Sequence, residues 1–271
     1  MDLITRRQLM VALAGLHLLA ACATAPPVSP AARADLAPTG KLRAGINLGN
    51  GVIATRDPVT KEARGIAVHV ARELGRRLNV PVELVVFEQA RNAVDALQAG
   101  ALDVVFVAIE PVRADVMDFT APYAEIEGIY AVPAGSPIRT VADVDRDGVR
   151  VSVVARSNYD LFLSRTLKHA QLVRAETTQG SADVFVAGKV DALAGVKQRV
   201  EDAVARAPGS RMLPNRFMAI RQAIGTPKGR AAGLAYLRGY VEDIKASGLV
   251  AREIELAGLR DATVAPAAPV Q

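Results

Sequence analysis

From residue 42 onward the chain alternates near-continuous apolar stretches with segments whose apolar residues recur every fourth position. "LRAGIN" (42–47), "VPVELVVF" (80–87) and "LDVVFVAI" (102–109) read as buried strands. Between the first two, "GIAVHVARELGRRLNV" sets Ile66, Val70, Leu74 and Leu78 on one face of a helix. "NAVDALQAG" reads as a short helix ending at Gly100. Continuous apolar strands joined by amphipathic helices are the pattern of a parallel sheet covered on both faces. The rhythm then repeats. "VRVSVVA" (149–155), "QLVRAE" and "VDALAG" are strands, while "SNYDLFLSRTLKHA", "SADVFVAG" and "VKQRVEDAVARA" are helices, the first opening on a Ser-Asn cap signal. Two more helices, "GRAAGLAYLRGYVEDIKASG" and "VAREIELAG", close the pattern. The expected fold class is therefore α/β, with two lobes and a cleft between them, the usual place for a ligand.

The N-terminal residues read as processing rather than fold. "MDLITRRQLMVALAGLHLLAAC" has a basic start at Arg6 and Arg7, an apolar run from Leu9 to Ala21, and small residues before Cys22. That is the three-part pattern of a signal peptide over residues 1–21, and its apolar run is too short for a membrane span. "LAAC" resembles the lipobox of bacterial lipoproteins, which implies lipidation of Cys22. The alternative is a plain signal peptide followed by a cysteine. The Ala- and Pro-rich residues 22–39 then read as a lipoprotein tether, and 263–271 as a flexible tail. Cys22 is the single cysteine, so no internal disulfide is expected and stability must come from the core.

Charge excludes some partners. The formal net charge of +5 falls to +4 once Arg6, Arg7 and Asp2 leave with the signal. The excess is mild and spread along the chain, without a basic cluster interleaved with aromatics, so nucleic acid is not expected. A small anionic partner is compatible with it. His69 and His169 stand apart, without metal-ligand spacing, so neither a metal nor another cofactor is expected. "GINLGNG" lacks the lysine and glycine spacing of a phosphate loop and reads as a ligand-loop turn.

One residue stands out at the end of a strand. In "FVAIEPVRADVMDFTAPY" (106–123), Arg113 follows Pro111 and Glu110 at the mouth of a segment whose only polar side chain from Leu102 to Ile109 is Asp103. "ALQAGALDVVF", "PVRADVMDFTAPY", "GSPIRTVADVDRDGVRVSV", "VAGKVDALAG" and "YVEDIKASGLVAREIE" occur in this order. In this order of motifs the chain resembles the bacterial extracellular solute-binding proteins of family 3, polar amino-acid receptors of ABC importers, over nearly all of residues 40–260. The resemblance implies a periplasmic-binding-protein type II-like fold. Residues 40–126 plus 222–262 would form lobe 1 and 127–221 lobe 2, joined by a two-crossover hinge that closes on a ligand. It also implies a monomer in the periplasm that hands its solute to an ABC permease, here held to the membrane by the lipid at Cys22. The arginine matching Arg113 grips the ligand carboxylate in such proteins, as suits a planar, permanently charged, two-pronged donor. The alternative is a surface arginine paired with Glu110 or Asp115, of little energetic weight.

Departures from the family pattern bear on the ligand. Where these receptors carry Ser or Thr to help hold the carboxylate, this chain has Ala108. Where they offer Asp to the ligand ammonium, it has Val196. Expected aromatic platforms fall on Ala90 and Asn50. An ammonium buried without a carboxylate costs several kcal/mol. The residues left for binding are Arg113, Ser157 and Asn158 at a helix start, neutral Asn47 and Asn50, and Arg156 as a second cation. They favour a small organic or aromatic carboxylate over a standard α-amino acid. Glu110 is left with two roles open, pairing with Arg113 or receiving a ligand amine or hydroxyl. Two other functional classes share the fold. A periplasmic enzyme resembling cyclohexadienyl dehydratase would use Glu110, Glu125, Glu127 or Asp160 as general acid. A sensory module would instead report the ligand to a signalling protein.

Overall fold

The computed structural model describes residues 28–269. The expected signal peptide and Cys22 lie outside the described residues. The chain opens with helix α1 (Pro30–Leu36), followed by β1 (Leu42–Asn47), the hairpin β2 (Thr55–Arg56) and β3 (Ala63–Arg64), α2 (Ile66–Leu78), β4 (Val82–Phe87), α3 (Ala90–Gln98) and β5 (Val104–Ala108). The one-turn helix α4 (Pro111–Ala114), β6 (Met117–Phe119) and the long strand β7 (Ala124–Val132) lead into the second lobe. There β8 (Arg150–Val154), α5 (Asn158–Thr166), β9 (Gln171–Ala175), α6 (Thr178–Val186), β10 (Ala192–Val196) and α7 (Lys197–Ala205) follow in order. The chain returns through β11 (Arg211–Met212) and β12 (Met218–Pro227) to α8 (Ala231–Ala246), α9 (Leu249–Leu256) and β13 (Ala262–Val264).

The helices sit where the apolar spacing puts them. In α2, Ile66, Val70, Leu74 and Leu78 are all fully buried, and Asn79 ends the helix in the left-handed conformation at φ 53°. In α5, Ser157 caps the first turn by accepting from the Asp160 N–H at 3.1 Å. The main sheet runs β4-β1-β5-β12-β7-β10-β8-β9. Its outer thirds are parallel, β4-β1-β5 in one lobe and β10-β8-β9 in the other. The middle is antiparallel: β12 and β7 pair from Met218↔Gly128 to Gln222↔Ala124 and carry the chain between the lobes. The strand β12 has no counterpart in the apolar pattern of the sequence, because it crosses from one lobe to the other and alternates buried and exposed residues at its start.

Both chain ends depart from expectation. The tether expected over 22–39 does not run to residue 39, because Ser29 caps α1 and Leu36 and Ala32 bury against α8. Gly233 of α8 leaves the room: a Cβ there would lie 2.8 Å from Asp35 Cβ and 3.1 Å from Leu36. Likewise the tail expected over 263–271 is held at its start. Strand β13 pairs with β7 through Ala262↔Ile126 and Val264↔Ala124, and Ala265 is buried.

Beneath lobe 1 lies a fully buried carboxylate. Asp103 takes Arg43 Nη2 at 2.8 Å and Nε at 3.0 Å, the Arg43 backbone N–H at 2.9 Å, and Arg230 Nη1 at 3.3 Å. Two-pronged guanidinium contact of this kind is what lets a carboxylate leave water. Arg230 is turned under the lobe, where it also donates to the Asp35 carbonyl.

Candidate functional site

Strand β5 delivers the site's central cation. After Ala108 the chain runs extended through Glu110, and Pro111 sets the first turn of α4, whose single turn folds Arg113 back beneath the strand end. Arg113 is 4% exposed. Its Nη1 donates to the Ala108 carbonyl at 2.8 Å, and its Nη2 reaches the Arg156 carbonyl of the other lobe at 3.4 Å. Among the described residues no carboxylate forms a salt bridge with it. Burial lowers its pKa to about 10, partly offset by Glu110 and reinforced by nearby Arg156, so it remains charged at neutral pH.

Around it the lobes enclose a cavity of about 430 Å³. Eight of the nine residues expected to bind ligand line it: Ala108 and Arg113 from lobe 1 with Asn47 and Asn50, and, from lobe 2, Arg156, Ser157 and Asn158 with Val196. Arg156 occupies the left-handed region at φ 57°, held there by its N–H donating to Asp160 Oδ2 at 2.7 Å. This turn aims its carbonyl at Arg113 and leaves its guanidinium 3.5 Å from Asp95. Val196 is buried at the end of β10, where it precedes α7 without a capping side chain.

Glu110 is the exception. It does not line the cavity, and its partner is not Arg113. The carboxylate is 2% exposed and takes Arg165 Nη2 of α5 at 2.8 Å, a pair that crosses the cleft. Its extended backbone turns the side chain away from the cavity, and burial pushes its pKa up against the opposing pull of Arg165 and Arg113.

Other contacts bridge the lobes in the same closed arrangement. Arg91 pairs with Glu176, and Gln89 donates to the Glu176 carbonyl. Thr178 Oγ1 donates to Gly49 O at 3.3 Å. Arg199 of α7 lies against Gly51, where a Cβ would fall 2.1 Å from its Nη2.

Sequence reasoning missed several lining residues. Gln222 comes from β12, the strand it did not assign, and Arg199, Asp202 and Arg206 come from α7, a helix read only as core cover. A helical wheel that placed α7 beside Val196 could have brought these three to the cleft; Gln222 gave no such signal. Glu88 and Asp202 are the carboxylates of the lining, both at the rim and already paired, with Arg56 at 3.0 Å and Arg199 at 3.5 Å. Among the described residues no cluster of His, Cys, Asp and Glu could hold a metal ion. No helix there is long and apolar enough to cross a membrane.

Comparison with known proteins agrees with this architecture. The family model described as bacterial extracellular solute-binding proteins, family 3, matches residues 53–255. No curated protein matches the chain in sequence. Among solved structures, a mutant of ArgBP from T. maritima superposes with a TM-score of 0.71 at 21% identity, covering 84% of this chain and 99% of that one. The amino acid ABC transporter substrate-binding protein AbpA from Streptococcus pneumoniae, bound to L-arginine, gives 0.70 at 20% identity, with 82% and 96% covered. The ancestral amino acid-binding protein AncCDT-1, a precursor of cyclohexadienyl dehydratase, gives 0.69 at 21%, with 83% and 98% covered. At these identities the likeness is one of fold.

Proposed function

Because the chain belongs to the bacterial extracellular solute-binding proteins of family 3, we propose that its cavity captures a small carboxylate and delivers it to an ABC permease. The ligand is an organic or aromatic acid without a free α-ammonium. One observation carries this reading: Arg113 is a buried guanidinium that forms no salt bridge with any described residue, facing a lobe 2 wall where Val196 offers nothing to a cation. A buried charge calls for a counter-charge, and a ligand carboxylate supplies it in two-pronged form. An ammonium would find only the rim carboxylates Glu88 and Asp202, whose arginine partners already hold them. The helix start at Ser157 and Asn158 adds N–H groups that favour negative charge, while Asp160 of the same turn is held by the Arg156 N–H and by Arg174.

The protein works by binding rather than by catalysis in this reading. A general acid would have to face Arg113 across the cavity, and Glu110 is instead held by Arg165, out of the lining. The proposed setting is the periplasm, with the chain anchored through lipid on Cys22 and working as a monomer. Thermal-shift titration against amino acids and against organic and aromatic acids tests the ligand class. Stabilisation by the acids and not by amino acids is the expected outcome; a clear preference for ordinary amino acids overturns it.

A further inference from the structure

Helix α3 begins against local preference. Its N-cap residue, Gln89, makes no capping bond to the helix, and the first turn holds no acidic residue. Arg91, the second helical residue, instead puts a positive charge at the end where the helix dipole disfavours one. Departures of this kind mark positions whose side chains serve something other than their own element. Both side chains cross the cleft. Gln89 donates to the Glu176 carbonyl of lobe 2, and Arg91 pairs with the Glu176 carboxylate. Asp95 follows Arg91 by four residues, on the same helix face, and lies 3.5 Å from Arg156 of lobe 2. One face of α3 thus offers a cation and an anion to an anion and a cation opposite.

The turn that receives Gln89 and Arg91 is itself fixed. Glu176 lies between β9 and α6, and Thr177 caps α6 by accepting from the Gly180 N–H at 3.0 Å. Thr178, the first residue of α6, donates to the Gly49 carbonyl of lobe 1 at 3.3 Å. A single turn of lobe 2 therefore holds two separate parts of lobe 1, the start of α3 and the loop after β1. Gly49, Gln89, Thr177 and Thr178 all line the cavity, whereas Arg91 and Glu176 stand outside the lining. Each of these contacts joins one protein group to another, so it favours closure whatever the cavity contains. The Glu110–Arg165 pair also spans the lobes, but its carboxylate side chain is 3% exposed and that of Glu176 is 72% exposed. Salt screens exposed charges far more than buried ones.

We propose that the Glu176–Thr178 turn is a clasp beside the cavity, closed on Arg91, Gln89 and Gly49, that holds the lobes together without help from a solute and loosens as ionic strength rises. Arg91 and Glu176 are its positioning residues. They act on closure and not on the walls that a solute meets, so the clasp works in the same way for any solute class.

Small-angle scattering of the purified ligand-free protein tests this across NaCl from about 0.05 M to about 1 M. Wild type is compared with Arg91→Glu, with Glu176→Arg, and with the double variant that carries both and rebuilds the pair with its charges exchanged. Each single reversal should lower the closed-to-open ratio roughly three- to tenfold and enlarge the radius of gyration at low salt. The double variant should return to the wild-type radius, which also shows that both single variants fold. Wild type should expand as salt rises, and the neutral pair Arg91→Gln with Glu176→Gln should lose most of that response. The clasp is overturned by single variants with the wild-type radius, or by a double variant as open as the singles. A wild-type radius indifferent to salt, or a neutral pair with the full wild-type response, overturns its ionic control.

Discussion

Arg113 and Ala108 lock together across five residues, the Nη1 of one 2.8 Å from the carbonyl oxygen of the other. The contact fixes the plane of the guanidinium at the end of β5, with Nη2 also reaching the Arg156 carbonyl at 3.4 Å. Arg113→Ala should therefore remove most of the ligand affinity, about 2–5 kcal/mol. Arg113→Lys should be nearly as harmful, because an ammonium cannot make the two-pronged contact. Calorimetric titration of both variants checks this, and unchanged affinity in the lysine variant would reduce Arg113 to a point charge. The ligand-free Arg113→Met protein should melt no lower than wild type, since burial disfavours the charged arginine in the empty cavity.

The Glu110–Arg165 pair joins the lobes, so it bears on closure rather than on contact with the ligand. Arg165→Ala leaves Glu110 buried without its cation in the closed form, and the apparent affinity should fall about tenfold or more, mainly through faster dissociation. The pH dependence follows from the direction of the Glu110 shift. Its pKa is already raised by burial, and removing Arg165 takes away a neighbouring cation that lowers it. Protonation relieves the cost of burying the carboxylate, so the defect should be largest at neutral and alkaline pH and shrink as pH falls through the raised value. Stopped-flow dissociation rates for wild type and variant across pH 5–8, a window of roughly the ordinary protein working range, measure it. A defect that grows on acidification would refute the assignment.

Asp103 should govern the stability of lobe 1 without touching the ligand. Arg43→Ala withdraws both guanidinium contacts and leaves Arg230 as the one cation beside a fully buried carboxylate, with the residue 43 backbone N–H still donating to it. The expected loss is about 3 kcal/mol, at the low end for breaking a buried pair. Urea unfolding gives the number, and ligand affinity in the folded variant should stay near that of wild type.

The C-terminal strand acts on the hinge. Strand β13 lies along β7, and Lys197 of α7 reaches Asp261 just before it, with Glu127 of β7 at 3.5 Å. A chain ending at Arg260 loses both contacts. It should melt at a lower temperature and show a larger radius of gyration without ligand, as the open form gains population. Small-angle scattering of the two chain lengths decides the matter, and identical curves would mean that β13 restrains nothing.

Much of this arrangement could be read from the sequence because the strands are buried on both faces. β1, β5, β8 and β10 carry apolar runs that no alternative structure explains, and the helices between them keep one apolar stripe. β12 was not legible in the same way. "MAIRQAIG" mixes Arg221 and Gln222 into a strand whose first half lies in the crossing between lobes, so neither periodicity shows. The short strands β6, β11 and β13 owe their form to partners distant in sequence, and β2 and β3 to each other across a hairpin. At the site, Arg113 was marked by its place after a strand end and a proline. The partner of Glu110 was not, because Arg165 lies 55 residues away on the opposite lobe. Gln222 escaped notice because an isolated glutamine says nothing until its neighbours are known to leave it unsatisfied.

On the proposed lipid anchor, the docking of α1 on α8 starts the folded body at Pro30, eight residues after Cys22, rather than near residue 40. A lipid at Cys22 would thus keep the face formed by α1 and α8 near the headgroups. The molecule would then meet its transporter by swivelling in place rather than by roaming the envelope.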